Sequence, residues 1–217
     1  MKRALFAWGG WDGHEPKQTT EKAAQTLSDA GFEVSIQDTL DAFSDADEVR
    51  SFDLIVPCFT MSEITAQQWS AMSQAVRGGV GFAGWHGGAG DAFRMHTDYQ
   101  FMVGGQWVAH PGGIIDYEVK ILSYTADPII EGIDDFKMRS EQYYMHVDPS
   151  NETLAVSILG HIDEAPWVKG CIMPAVWKRK YGEGRIFYSS LGHCAADFDV
   201  PEVLEILKRG MIWAARS

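Results

Sequence analysis

The chain has 217 residues, of which 46% are hydrophobic and 22% charged, and this balance excludes a disordered chain or a coiled coil. The formal net charge of −12 disfavours nucleic-acid and anionic-membrane partners, and no apolar run reaches the ~20 residues that span a bilayer. Three widely spaced cysteines indicate neither a disulfide framework nor a CxxC zinc site, so a cytoplasmic location is expected.

The first ninety residues alternate between predicted strands and predicted helices. One helix is expected to start at Pro16 and stop at Gly31, and another to start at Thr65 and stop at Gly78. Short apolar runs predict strands at residues 3–8, 32–36, 53–58 and 80–85. This alternation predicts βαβ units and a parallel sheet with right-handed crossovers.

The remainder of the chain is richer in predicted strands, which are joined by turn signals. They lie at residues 116–122, 153–159, 173–181 and 185–190, with a hairpin turn at 182–184 and a last helix at about 201–215. No linker or internal repeat divides the chain. We therefore expect a single domain over residues 1–217, an α/β three-layer sandwich with a mostly parallel sheet and a β-rich extension.

Three histidines follow the ends of predicted strands. His14, His86 and His193 come after the first strand, the fourth strand and the strand at 185–190. Ligands of open parallel sheets bind beyond the carboxyl ends of the strands, so we expect these side chains to line one cleft. Histidine titrates near neutrality and ligates metals, and the three are candidate catalytic groups or ligands of a divalent metal, zinc by donor type.

His86 occupies the central position of GWHGG, residues 84–88, which has the spacing of a nucleophile elbow. An elbow presents its central side chain on a tight strand-to-helix turn. Imidazole there suits a general base or a metal ligand better than an acyl carrier. We expect the ring to face the ligand and the flanking glycines to need no packing from it.

Further polar and aromatic residues lie near these loops. Glu141 is a candidate acid–base partner, with a pKa raised by partial burial. The expected substrate contacts come from two tryptophans, an acidic, a basic and an imidazole side chain: Trp85, Asp91, Arg94, Trp107 and His110. Each has an alternative structural explanation, such as core packing for a tryptophan or a helix surface for Arg94.

Several segments together resemble the ThuA-like family, named for trehalose utilisation. They read GGWDGHEP, GFAGWHGGAGDAFR, GGQWVAHPGG, SEQYYMHVDP and PAVWKRKYGEGRIFYSSLGH, at residues 9–16, 81–94, 104–113, 140–149 and 174–193. Tyr99 and the pair Asp197-Phe198 are further matching residues. The resemblance implies a flavodoxin-like fold similar to class I glutamine amidotransferases, and a role in the catabolism of trehalose or its 3-keto derivative. Those amidotransferases carry cysteine at the elbow where this chain has His86, so the resemblance does not imply glutaminase activity.

Three readings of function are open at this point. The leading one is an enzyme of hydrolase, lyase or isomerase type that acts on a sugar or keto-sugar. In it His14, His86, Glu141 and His193 are catalytic, and the histidines are also candidate metal ligands. The second is a non-catalytic sugar-binding or regulatory module, and the third a hydrolase with Cys194 as nucleophile. The number of subunits is open, with a homo-oligomer as one alternative.

Overall fold

Eleven strands and six helices make up the computed structural model, which describes residues 1–217. The strands are β1 (Arg3–Gly10), β2 (Glu33–Gln37), β3 (Leu54–Thr60), β4 (Gly81–Trp85), β5 (Gly105–Ala109), β6 (Ile114–Ile121), β7 (Phe136–Glu141), β8 (Tyr144–Val147), β9 (Glu152–Ile158), β10 (Ile172–Tyr181) and β11 (Gly184–Ser189). The helices are α1 (Pro16–Asp29), α2 (Ala46–Arg50), α3 (Ala66–Arg77), α4 (His86–Gly90), α5 (Thr97–Val103) and α6 (Pro201–Ala214). No helix combines the length and apolarity needed to cross a membrane.

Nine of the strands form one mixed sheet in the order β2-β1-β3-β4-β11-β10-β9-β6-β7. The first five strands in this order are parallel, and each of the last four is antiparallel to its neighbour. The strands β5 and β8 form a separate two-stranded sheet. Parallel strands end at the same edge of a sheet, so the loops after β1, β3, β4 and β11 lie side by side.

Helices cover both faces of the parallel half of the sheet. Strand residues alternate between the faces, as in β1, where Leu5 packs with the core beneath α3 and Phe6 with the core beneath α1 and α6. Burial of strands on both faces explains the nearly continuous apolar runs of the sequence. The predicted α/β three-layer arrangement with a β-rich extension is observed.

The antiparallel half of the sheet curls back over the carboxyl edge. In a flat sheet, five strand spacings of about 4.8 Å would separate β4 from β7 by roughly 24 Å. Nevertheless Nε2 of His86, just after β4, lies 3.1 Å from Oε2 of Glu141 at the end of β7. The register of β10 shifts twice between Pro174 and Trp177, and such bulges bend a strand and increase its twist.

Most predicted elements are present, with ends displaced by one or two residues. Thr65 caps α3 in a capping box with Gln68, and Gly182 and Glu183 form the turn of the β10–β11 hairpin. Five elements were not predicted from the sequence: α2, α5, β5, β7 and β8. In β7 the signal was present: Phe136, Met138 and Ser140 are buried, whereas the intervening side chains are exposed.

Candidate active site

Four ionisable side chains from distant parts of the chain meet at the carboxyl edge of the parallel strands. His14 follows β1, His86 begins α4 directly after β4, and His193 follows β11. Glu141 joins them from the end of β7, and the potential ligand atoms of the four side chains all lie within 4.8 Å of one another. The structure thus brings together the three histidines that the sequence analysis placed at this edge.

His86 is held by contacts on several sides of its ring. Its backbone has a φ of 42°, in the left-handed region, which fits the tight turn expected of an elbow. Its Nδ1 donates to the carbonyl oxygen of Ser190 at 2.8 Å, and its ring stacks on Tyr143 with 3.9 Å between centroids. The ring is buried. The ring was expected to face the ligand, but its side chain is 1% exposed and packs against Tyr143 instead of facing the cleft.

His14 reaches the same point from the loop after β1. Its Nδ1 lies 2.8 Å from Oγ1 of Thr60, and its Nε2 lies 3.8 Å from Oε2 of Glu141. A Cβ atom on Gly87 would lie 2.5 Å from Cε1 of the His14 ring. Since real Cβ atoms do not approach that closely, glycine at position 87 is what allows this ring to pack against the elbow.

Glu141 supplies the carboxylate on which the imidazoles converge. Its Oε2 is surrounded by three ring nitrogens, at 3.1 Å (His86), 3.4 Å (His193) and 3.8 Å (His14). Its Oε1 lies 3.7 Å from Nε2 of His110. Burial raises the pKa of this carboxyl, but hydrogen bonds from the imidazoles outweigh burial and hold the pKa well below its usual range. The raised pKa expected from the sequence is wrong for this reason.

The imidazoles themselves are shifted in opposite directions. Burial lowers the pKa of His86 to about 4, although the nearby Glu141 opposes this effect. Contact with the Glu141 carboxylate raises the pKa of His193, against the effect of burial. The 3.4 Å contact of His193 is poorly aligned, and its buried Nδ1 has no hydrogen-bond partner.

Asp197 connects the end of β7 with the loop after β11 through hydrogen bonds. Its Oδ2 accepts a hydrogen bond from Oγ of Ser140 at 2.6 Å and another from the backbone N–H of His193 at 2.8 Å. Ser140 precedes Glu141, so one buried carboxylate fixes both the end of β7 and the loop after β11. Asp197 is among the residues that carry the family resemblance, but no role was predicted for it from the sequence. Its position four residues after a candidate histidine was the available signal.

A small cleft opens beside the cluster. His14 and Glu141 line it, whereas His86 and His193, which were also expected to line it, do not. The cleft has a volume of about 110 Å³, and its lining combines aromatic, polar and ionisable side chains: Trp11, His14, Thr60, Met61, Asp91, Arg94, Trp107, His110, Glu141 and Tyr143. A second groove of about 350 Å³ shares Met61 and Arg94 with it. Trp107 and His110 each retain a buried ring nitrogen without a hydrogen-bond partner.

Arg94 and Asp91 form one rigid polar wall of the cleft. The guanidinium donates from Nε to Oδ1 at 2.9 Å and from its terminal nitrogen to Oδ2 at 2.6 Å. The same guanidinium lies over the Trp107 ring, 4.8 Å from its centroid. Four of the five expected substrate-contact residues, Asp91, Arg94, Trp107 and His110, thus line the cleft.

Trp85 does not line the cleft, and this expectation is corrected. The side chain is 2% exposed and packs edge-on against Phe198 in the core beneath α1 and α6. Strand alternation turns Trp85 to that face, although it is the neighbour of His86 in the sequence. Trp11 stands at the cleft instead, 46% exposed. Its place in the loop just before His14 was the signal for it.

Cys194 has the wrong environment for a nucleophile. Burial raises the pKa of its thiol, and Sγ lies 3.9 Å from the Asp197 carboxylate. A reactive thiolate needs the opposite, an electropositive setting that lowers the pKa. The structure offers no support for a cysteine-dependent hydrolase.

Comparison with known proteins adds a family and related folds. A ThuA-like protein from Bacteroides uniformis ATCC 8492 superimposes with a TM-score of 0.78 and 16% identity, over 98% of this chain and 91% of that one. A second, from Parabacteroides merdae ATCC 43184, gives 0.77 and 16%, over 98% and 89%. A cytoplasmic protein from Salmonella typhimurium gives 0.69 and 11%, over the full length of both chains. At these identities the likeness shows the fold alone.

No curated protein matches the chain. The family model for ThuA, described as trehalose utilisation, matches residues 3–214. Since that match extends over nearly the whole chain, the protein belongs to the ThuA family of trehalose utilisation.

Proposed function

We propose that the protein is a carbohydrate-catabolism enzyme that acts on a sugar or keto-sugar in trehalose utilisation. One observation carries the proposal: a buried carboxylate surrounded by three imidazoles lies at a cleft with aromatic and polar walls, which the carboxylate of Glu141 and the ring of His14 line. Ionisable groups converging in a cleft are typical of catalytic sites. Family membership supports the carbohydrate role.

The walls of the cleft suit a sugar ring. The ring faces of Trp11 and Trp107 can stack on the C–H face of a pyranose, and the Asp91–Arg94 pair can bond its hydroxyls. The orphan ring nitrogens of Trp107 and His110 are further polar groups for a bound hydroxyl or carbonyl. The 350 Å³ groove that continues from the cleft has room for a second ring, so we propose a two-ring keto-glycoside as substrate.

His110 is the group placed to move protons between substrate and solvent. Its side chain is 39% exposed, and its Nε2 faces Oε1 of Glu141 at 3.7 Å. The proton on carbon next to a ketone is acidified, so an imidazole beside an anionic carboxylate can remove it and return it to the leaving oxygen or the neighbouring carbon. This chemistry fits an isomerase, a lyase or a hydrolase that proceeds through the keto form.

The finer fold assignment, cellular location and partners are part of the same proposal. The order β2-β1-β3-β4-β11 matches the 2-1-3-4-5 order of flavodoxin-like sheets, which supports a flavodoxin-like fold of the class I glutamine amidotransferase type. We propose a cytoplasmic location, as for the similar Salmonella typhimurium protein. The partner is a small carbohydrate, with no role for nucleic acid or membrane, and self-association into a homo-oligomer is compatible with this function.

The test is turnover of a 3-keto disaccharide, with the unoxidised disaccharide as reference substrate. Wild-type protein should convert the keto-sugar, and Glu141→Gln should lower kcat by roughly 10²-fold or more. Tryptophan fluorescence measured on the same samples reports binding, since Trp11 and Trp107 line the cleft. Quenching without turnover by any keto-sugar would contradict the enzyme and leave a binding module. Absence of both would contradict a carbohydrate ligand.

A further inference from the structure

Hydrogen bonding cannot satisfy the cluster around Glu141. A carboxylate oxygen has about two lone-pair sites, but Oε2 faces three imidazole nitrogens within 3.8 Å. At least one of these ring nitrogens therefore lacks a partner. The buried Nδ1 of His193 is such an atom.

The tautomer of His86 follows from its contact with the Ser190 carbonyl oxygen. A carbonyl oxygen can only accept, so the Nδ1 that contacts Ser190 must carry the hydrogen. The neutral ring then presents the lone pair of Nε2 to the carboxylate, 3.1 Å away. Two lone pairs at this distance repel each other unless a proton or a metal ion lies between them.

The distances fit a metal ion in that position. Bonds of about 2.0–2.1 Å to a tetrahedral ion place its ligand atoms about 3.3 Å apart, and the three contacts of Oε2 scatter around that value from 3.1 to 3.8 Å. The second ring nitrogens of two histidines are already engaged, by Thr60 for His14 and by the Ser190 carbonyl for His86. Such outer contacts orient imidazole ligands in metal sites.

The negative charge around the cluster also favours a bound cation. Glu141 and Asp197 are both buried, and neither forms an ion pair with a lysine or arginine. A divalent cation at the cluster would balance both carboxylates.

We infer that His14, His86, His193 and Glu141 bind one divalent transition-metal cation, with Oε2 of Glu141 as the fourth ligand. Imidazole and carboxylate donors favour zinc among such ions. This assignment makes Glu141 a ligand and leaves proton transfer to His110. The use of the ion to polarise a substrate carbonyl rests on the proposed function, whereas its binding does not.

Metal analysis of protein purified with a tag free of histidine tests the inference. The native protein should contain about one equivalent of transition metal per chain. After chelation, titration with ZnCl₂ should give one calorimetric site, with MgCl₂ giving none. Glu141→Gln and His193→Ala should each weaken Zn²⁺ binding roughly 100-fold or more, beyond the roughly 10–100-fold cost of losing an outer contact. His161→Ala, at an exposed histidine outside the cleft, is the matched control.

Circular dichroism of each variant separates loss of a ligand from loss of the fold. A folded wild-type protein that contains no metal and does not bind Zn²⁺ would overturn the inference, as would folded variants that bind it normally. Stoichiometric binding without sugar turnover would support the metal site and contradict the proposed function. Full turnover by metal-free protein would support the proposed function and contradict the use of the ion to polarise the substrate.

Discussion

At the scale of single residues, the buried side chains of the cluster and the partly exposed imidazole of His110 beside them have different roles. The side chains of His86 and Glu141 are only 1% and 8% exposed, whereas the His110 side chain is 39% exposed at the cleft. The chemistry therefore separates into an inner set that holds charge and an outer group that moves protons.

His110→Ala should lower kcat on a keto-sugar by ~10²–10⁴-fold, the usual contribution of one acid–base group. Because His110 is not among the four clustered ligands, the variant should keep its zinc and its melting temperature. Steady-state kinetics paired with metal analysis checks both. Unchanged kcat would remove His110 from the mechanism.

Asp197 acts by positioning. Asp197→Ala leaves the Ser140 hydroxyl and the His193 N–H without their acceptor, at a cost of about 1–3 kcal/mol in unfolding free energy. We expect zinc affinity to fall roughly 10–100-fold, as for lost outer contacts. Asp197→Asn keeps an acceptor oxygen, so it should restore much of the affinity. If both variants bind zinc like the wild type, Asp197 serves stability alone.

The sequence predicted the residues of the site better than their surroundings. The rule that ligands bind beyond parallel strands was enough to select His14, His86 and His193. It could not show that Trp85 turns into the core, because β4 is buried on both faces and its apolar pattern does not tell one face from the other.

At the scale of elements, the elbow between β4 and α4 can pack closely against other side chains because its glycines have no Cβ atom. Gly87 leaves space for the His14 ring, and Gly88 leaves space for Cys58, whose Sγ would lie 2.6 Å from an added Cβ. The glycines thus shape the site through close packing as well as through backbone freedom.

Gly87→Ala tests this packing. Alanine favours a helix over glycine by about 1 kcal/mol, so a mere helix effect would stabilise α4. We expect instead a displaced His14 ring, seen as weaker zinc binding and a lower melting temperature. Gly160→Ala is the control, because a Cβ there meets nothing within 4 Å. Equal behaviour of the two variants would contradict the packing argument.

At this scale, the pairing of β7 and the curvature of the sheet could not be predicted from the sequence. The alternating pattern of β7 was readable, but local pattern carries no information about which strand pairs with β6 or how far the sheet curls. Glu141 was selected from the sequence as an ionisable candidate, but its contact with His86 and the register shifts in β10 are not visible in the apolar run at 173–181.

At the scale of the whole molecule, the cluster joins segments from both ends of the sequence. Residue 14 follows β1 and residue 193 follows β11, with β3 and β4 between these strands, and residue 141 comes from the far edge of the antiparallel half. An ion bound to all of them would bind the folded chain and not the unfolded one, and would stabilise the entire fold.

Thermal unfolding with and without zinc measures this coupling. Free Zn²⁺ at 100 times its Kd should add about 2.7 kcal/mol, which for a chain of this size raises Tm by roughly 5–10 °C. The increase should disappear in Glu141→Gln and persist in His161→Ala. A Tm that does not respond to zinc in metal-free wild type would show that the cluster is not linked to folding through an ion.

The position of β11 between β4 and β10 has a consequence for biosynthesis. Residues 81–85 leave the ribosome early, but their second neighbour, residues 184–189, follows only after roughly 100 further residues, or about 5–20 s of translation. Throughout that interval the nascent chain carries an apolar strand with one unpaired edge, the kind of surface on which chains aggregate. Synthesis of this protein is therefore expected to depend on chaperones that shield β4 until the last hairpin arrives.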